Sequence, residues 1–312
     1  MSKTRKSILL TGGTGFFGKS FLSRLRRGGL PGIRLTLLAR HPETLFRECP
    51  ELTELPDVNC AAGDIRTCAF PDMAFDAIIH AATPSTPQPE GVLRDIIVNG
   101  TRNLLDYARR SGSGRLLFVS SGAVYGPQPQ NVPKIAETHP CVPVTEYGIA
   151  KHEAERLCLE SGLDTVIARC FAFTGPYLNR RIHFAVGNFI QACLDGREIT
   201  VRGDGTPLRS YMYADDLVDW LMATVARGVS GQAYNVGSDE ALSIRELAYA
   251  VREALGVSVP VRICGTPVPG APVERYVPDI GKARRELGVD ITVSLAEAIR
   301  RSAVRDGNAS GD

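Results

Sequence analysis

A parallel α/β sheet wound in both directions, with a smaller and mostly helical lobe toward the C-terminus, is the fold class this sequence predicts. Three observations carry it. Short apolar runs alternate with amphipathic stretches through the first half, as in a sheet covered on both faces. A glycine-rich turn stands between the first apolar run and the first helical stretch. After Gly175-Pro176 the pattern loosens into helices broken by glycine and proline turns.

The first run, Ile8-Leu9-Leu10, leads into Gly12-Gly13-Thr14-Gly15-Phe16-Phe17-Gly18. At Gly12 a tight strand-to-helix turn needs the positive φ that glycine supplies, and Gly15 removes a Cβ where phosphate oxygens approach the backbone. Gly18 lets the helix lie close on the strand, and the open N–H groups of the first helical turn face the anion. Further strands are expected at Leu35–Leu38, Ala77–Ile79, Leu116–Val119 and Val166–Ala168. Between them, Val92 to Arg110 places Leu93, Ile96, Ile97, Leu104, Leu105 and Ala108 at helical spacing. Later helices are expected near His183–Leu194, Ala214–Arg227, Ile244–Leu255 and Leu295–Ala303. The resulting division is a dinucleotide-binding domain over 1–175, with 205–236 returning to it. Residues 176–204 and 237–304 form the substrate lobe, and 305–312 a flexible tail.

Composition narrows the function. A chain of 312 residues can bury a large core, and a net charge of +2 with 22% charged residues gives no field suited to nucleic acid or a membrane surface. The eight cysteines include no Cys-x-x-Cys pair and read as reduced residues of a cytoplasmic protein. The five histidines show no ligand spacing with them, so no metal is expected. No apolar run reaches the roughly 18–20 residues of a membrane span.

Far downstream of the glycine turn lie Ser121 and Tyr147-Gly148-Ile149-Ala150-Lys151. Four residues on a helix put Tyr147 and Lys151 on one face. A tyrosine hydroxyl titrates near 10, so a neighbouring ammonium is needed to favour its phenolate near neutrality, and Lys151 can supply it. The Gly-x-x-Gly-x-x-Gly turn together with Ser121 and Tyr-x-x-x-Lys resembles the extended short-chain dehydrogenase/reductase superfamily, specifically its NAD-dependent epimerase/dehydratase branch, over roughly residues 7–303.

That resemblance implies a Rossmann-type fold, a catalytic set of Ser121, Tyr147 and Lys151, and a homodimer. It implies cofactor contacts from Gly12, Thr14, Gly15, Phe16, Phe17 and Gly18, from Asp64 and Ile65 beside the adenine, and from Ala81 and Ala82 beside the phosphates. Tyr147 and Lys151 would face the nicotinamide end. NAD-binding relatives carry an acid at the end of the second strand, where this chain has Ala39; the adjacent Arg40 suits a 2′-phosphate, so NADP(H) is preferred and NAD(H) possible. Gly203-Asp204-Gly205 and Arg209-Ser210-Tyr211 resemble the segment that grips a nucleotide-diphosphate sugar. Arg209 would hold the diphosphate, with Ser121, His183, Asn188 and Arg275 as further substrate contacts. Two departures stand out: Ala172 replaces an asparagine and Val268 an arginine of the relatives.

Dehydratase and decarboxylase relatives place carboxylates just after the serine, whereas this chain has Gly122 and Ala123. Hydride transfer survives that loss, so the expected function is an NADPH-dependent reductase of a nucleotide-linked 4-keto-6-deoxy sugar in deoxysugar biosynthesis. The alternative is an epimerase or dehydratase that retains its cofactor. A non-catalytic NADP-sensing protein on the same fold is the alternative from another class.

Overall fold

A computed structural model describes residues 5–52, 55–84, 86–180 and 184–304. His183 and the expected tail 305–312 lie outside the described residues. In chain order the first part runs β1 (Lys6–Thr11), α1 (Phe16–Arg26), β2 (Ile33–Ala39), α2 (Glu43–Glu48), β3 (Val58–Ala62), β4 (Ala77–His80), α3 (Val92–Ser111), β5 (Arg115–Ser121), α4 (Glu146–Glu160) and β6 (Thr165–Cys170). It continues with β7 (Phe173–Thr174), α5 (Ala185–Leu194), β8 (Ile199–Val201), β9 (Leu208–Arg209), β10 (Met212–Tyr213), α6 (Ala214–Arg227) and β11 (Ala233–Val236). The last part holds β12 (Leu242–Ser243), α7 (Ile244–Ala254), β13 (Val261–Ile263), β14 (Arg275–Tyr276), α8 (Gly281–Leu287) and α9 (Leu295–Ala303).

Seven of these strands form one parallel Rossmann-type sheet in the order β11-β6-β5-β4-β1-β2-β3. Successive residues of a strand face opposite sides, and the core divides accordingly. Ile8, Leu10, Leu35, Leu37, Ile79, Leu117 and Val119 pack under α1 and α6. Leu9, Leu38, Ile78, Leu116 and Phe118 pack under α3 and α4. Chain order reverses between β1 and β4, which opens a crevice at the carboxyl ends of these strands.

A separate apolar cluster joins α5, α7, β8, β13 and α9 through Val186, Phe189, Ile190, Leu247, Val251 and Ile299. Strands β9, β12 and β14 make a small mixed sheet that brings Arg209 and Tyr276 level with each other. Helix α8 packs against α6 and β11, on the side of the large sheet, although its sequence falls within 237–304. Among the described residues no helix is long and apolar enough to cross a membrane.

Candidate active site

The glycine turn closes on itself where β1 ends. Gly12 has φ 79°, and a Cβ there would stand 2.7 Å from the carbonyl oxygen of Ala81, so neither its dihedral nor its space admits another residue. At Gly18 a Cβ would lie 2.0 Å from the Gly13 oxygen, which is how closely α1 lies on the turn. Gly15 caps α1 without a side-chain hydrogen bond, leaving the first-turn N–H groups of Phe16, Phe17 and Gly18 for an anion. Thr14 is half-buried in the same turn.

The neighbouring loop is held by the Ala82 N–H, which donates to Thr11 Oγ1 at 3.2 Å. Thr11 also bonds His80, whose other ring nitrogen meets Thr101 at 3.1 Å. Burial pulls His80 down to about 3, so it is a neutral structural pin. The Thr83 hydroxyl, next along the loop, is buried without a hydrogen-bond partner, a vacancy that fits a ligand in the crevice. These features fit a dinucleotide: a cradle too tight for any Cβ, open helix N–H groups and an orphaned hydroxyl.

Just past β3, Arg66 grips Asp64 through Nε at 2.9 Å and Nη2 at 2.6 Å, and those bonds pull Asp64 down to about 2. Ile65 is buried against Gly100. Arg40 is exposed just past the end of β2.

Ser121 ends β5 and caps the turn Gly122–Tyr125, its Oγ accepting from the Ala123 N–H at 3.2 Å. Helix α4 starts directly beneath that turn, because a Cβ at Gly148 would meet the Ala123 oxygen at 2.6 Å. Thr145 fixes the helix start by accepting from the Gly148 N–H. Tyr147 is thereby set beside Ser121. Burial pushes its phenol up to about 12, while the bond to Ser121 pulls the other way. One turn on, Lys151 is 2% exposed and burial pulls it down to about 8. Its Nζ donates to the Val119 oxygen at 2.7 Å and lies 5.9 Å from the centre of the Tyr147 ring. The lysine is thus anchored on the strand end, one helical turn from Tyr147.

A third hydroxyl that sequence reasoning missed joins this group. Tyr276 Oη lies 3.3 Å from Ser121 Oγ, and its ring packs on Phe171 with centroids 4.7 Å apart. Together they close over Gly122, where a Cβ would meet Phe171 at 2.7 Å and the Tyr276 hydroxyl at 2.9 Å. Tyr276 comes from a two-residue strand 155 positions beyond Ser121, and no local pattern marks it. Behind the site, Ser120 donates to Glu155 at 2.5 Å, and Arg169 clamps the same carboxylate at 3.1 and 2.8 Å.

In the small sheet Arg209 pairs with the exposed carboxylate of Glu274, and its Nη1 donates to the Leu208 oxygen at 2.9 Å. Ser210 is 1% exposed and its hydroxyl has no partner; Arg275 Nε is likewise buried and unpartnered. Asn188 is exposed on α5 and donates to the Phe184 oxygen at 2.9 Å.

Fold and site together define a dinucleotide-binding enzyme. A sequence model of the NAD dependent epimerase/dehydratase family matches residues 8–237, and the chain belongs to that family, within the extended short-chain dehydrogenase/reductases. It is 28% identical to UDP-glucuronic acid decarboxylase 1 of Xenopus tropicalis over 96% of this chain and 72% of that protein. It is 29% identical to dTDP-glucose 4,6-dehydratase of Streptomyces niveus over 94% of this chain and 90% of that protein. Among solved structures, DesIV, the dTDP-glucose 4,6-dehydratase of Streptomyces venezuelae with NAD and TYD bound, superposes with a TM-score of 0.81 at 28% identity, covering 95% of each chain.

Proposed function

We propose that this enzyme is a cofactor-retaining epimerase that inverts a hydroxyl-bearing carbon of a nucleotide-diphosphate sugar. The observation that carries the reading is the crowding at Gly122. Without a carboxylate at 122 or 123, and with Phe171 and Tyr276 filling the space a side chain at 122 would occupy, the usual acid for eliminating water or carbon dioxide is absent. Epimerisation needs no such group. Dehydration and decarboxylation, the reactions named for the relatives above, remove water or carbon dioxide without an external reductant. The expected reductase of a nucleotide-linked 4-keto-6-deoxy sugar therefore yields to the alternative with a closed redox cycle.

In this mechanism Tyr147 accepts the proton of the sugar hydroxyl as hydride leaves the carbon it is attached to. Ser121 holds the same oxygen. After the keto sugar turns over, hydride returns to the opposite face and Tyr147 gives the proton back, so atoms and electrons balance. The nicotinamide dinucleotide, held by Gly12 to Gly18, Ala81 and Ala82, would supply the reversible hydride acceptor. Lys151 keeps a positive charge near the tyrosine and is the group to meet the ribose hydroxyls. Arg209, released from Glu274, would bind the diphosphate, whereas Arg275, level with Leu208, faces the other side of the small sheet.

One observation favours a second reading, net reduction: Arg40 stands exposed beside Ala39, which suits the 2′-phosphate of a dissociable NADPH. A single experiment separates the two. The purified protein is denatured, the released cofactor is weighed, and the intact protein is offered a panel of nucleotide hexoses and their 4-keto derivatives. The proposal expects retained NAD(P) and a product isomeric with its substrate. A reduced product formed with equimolar loss of NADPH establishes the second reading instead.

A further inference from the structure

Behind the catalytic face lies a cluster that hydride transfer does not use. Cys141 belongs to the segment leading into α4, and His152 and Glu155 sit three residues apart on that helix, so they share one side of it. The thiol, the His152 Nδ1 and a Glu155 carboxylate oxygen all lie within 4.8 Å of one another. His152 Nδ1 is buried and has no hydrogen-bond partner; the closest Glu155 oxygen is 3.9 Å away. We propose that Cys141, His152 and Glu155 form a binding site for a borderline-soft divalent cation, zinc above all.

The donor set is the first argument. Thiolate, imidazole and carboxylate are the three protein ligands of zinc, and three of them with one open position for water make a four-coordinate site. With bonds of about 2.0–2.3 Å, tetrahedral ligands stand roughly 3.3–3.8 Å apart. Closing from 4.8 Å asks for about 1 Å of movement, which side-chain rotation provides. His152 side-chain exposure of 34% leaves an entry path.

Support of the ligands is the second. Glu155 is already oriented by Ser120 and by both arms of the Arg169 guanidinium. Ligating carboxylates are themselves hydrogen-bonded in this way, and such outer partners set the ligand's direction. Cys141 is fixed from the other side, because the backbone at Val142 packs so closely on Gly126 that a Cβ there would stand 2.1 Å from the Val142 oxygen. The Arg169 guanidinium cancels one of the two negative charges that Cys141 and Glu155 supply, which weakens the site without blocking it. Metal binding removes the thiol proton, which burial otherwise retains. In sequence the site is hidden: the cysteine precedes the histidine by eleven positions and the third ligand is a glutamate.

Occupancy would staple the segment before α4 to the middle of the helix that carries Tyr147 and Lys151. The inference does not depend on the reaction catalysed, and its test needs no substrate. Protein without a polyhistidine tag is titrated with Co2+ in the micromolar range. The expected result is one equivalent bound, with a sulfur-to-cobalt charge-transfer band and the ligand-field bands of a four-coordinate site, both displaced by Zn2+. Cys141→Ser should abolish the charge-transfer band. His152→Asn should weaken binding by more than the roughly 10–100-fold typical of losing an outer-shell partner. Circular dichroism verifies that each variant is folded. Absence of binding by the folded wild type overturns the proposal. So does a charge-transfer band that survives Cys141→Ser and disappears on replacing the exposed Cys60 or Cys264.

Discussion

Replacing Gly18 with alanine tests the most tightly determined part of the cofactor site. The residue is helical and its dihedrals suit alanine, so the effect is steric alone. The added Cβ would sit 2.0 Å from the Gly13 oxygen and 2.4 Å from its carbonyl carbon, both backbone atoms that cannot rotate away. An ordinary carbon–oxygen approach is about 3.3 Å, so α1 and the turn must separate by more than about 1 Å. Overpacking of this kind costs about 1–3 kcal/mol of stability. The same displacement moves the first-turn N–H groups off the pyrophosphate position, and loss of one charged hydrogen bond is worth about 1.5–3 kcal/mol. We expect NAD+ and NADP+ affinity to fall roughly 10–100-fold, with the melting temperature lowered by a few degrees. Isothermal titration and thermal melting of the two proteins measure both. A folded Gly18→Ala protein that binds dinucleotide like the wild type would refute the placement of the pyrophosphate on this turn.

Three further outcomes follow from the site. Tyr147→Phe should lower kcat about 10²-fold or more while leaving the dinucleotide Kd nearly unchanged; loss of cofactor binding in a folded variant would assign the hydroxyl another task. Lys151, pulled down to about 8, carries its charge below that pH and loses it above, so kcat/KM should fall as pH rises through about 8; a rate still climbing toward the tyrosine's own range near 12 would show that the charge is not needed. Glu274→Gln frees Arg209, and since an exposed pair is worth about 0.2–1 kcal/mol, nucleotide-sugar KM should drop by up to about fivefold; Arg209→Ala should raise it, and no response in either variant removes the diphosphate from that arginine.

What was legible in the sequence was local. The glycine turn, the Tyr147–Lys151 pair and the two helices Ala214–Arg227 and Leu295–Ala303 are each written in contiguous residues, and α6 and α9 have those bounds. What was not legible depends on distant strand pairing. Tyr276 reaches Ser121 because β14 runs parallel to β9, with Tyr276 opposite Arg209. The same pairing explains the partner of Arg209. In sequence, Asp215 and Asp216 are its nearby acids, but Asp215 goes to Arg27 at 2.8 Å and Asp216 is tied to Thr292 and Val293, leaving Arg209 to Glu274. The charge of Lys151 was another such case: the helix puts it one turn from Tyr147, while the depth of burial that governs both side chains is a property of the packed core.

The central claim is a closed hydride cycle at one sugar carbon, and isotope tracing tests it most directly. A nucleotide hexose deuterated at the carbon that the enzyme inverts is incubated with it in ordinary water, with unlabelled NAD(P) added in excess, and the position and content of deuterium in the product are read by NMR and mass spectrometry. The account predicts an isomeric product that keeps its deuterium at the inverted carbon, with none on the added cofactor. Deuterium lost to water, or transferred in stoichiometric amount to free NAD(P), would contradict it.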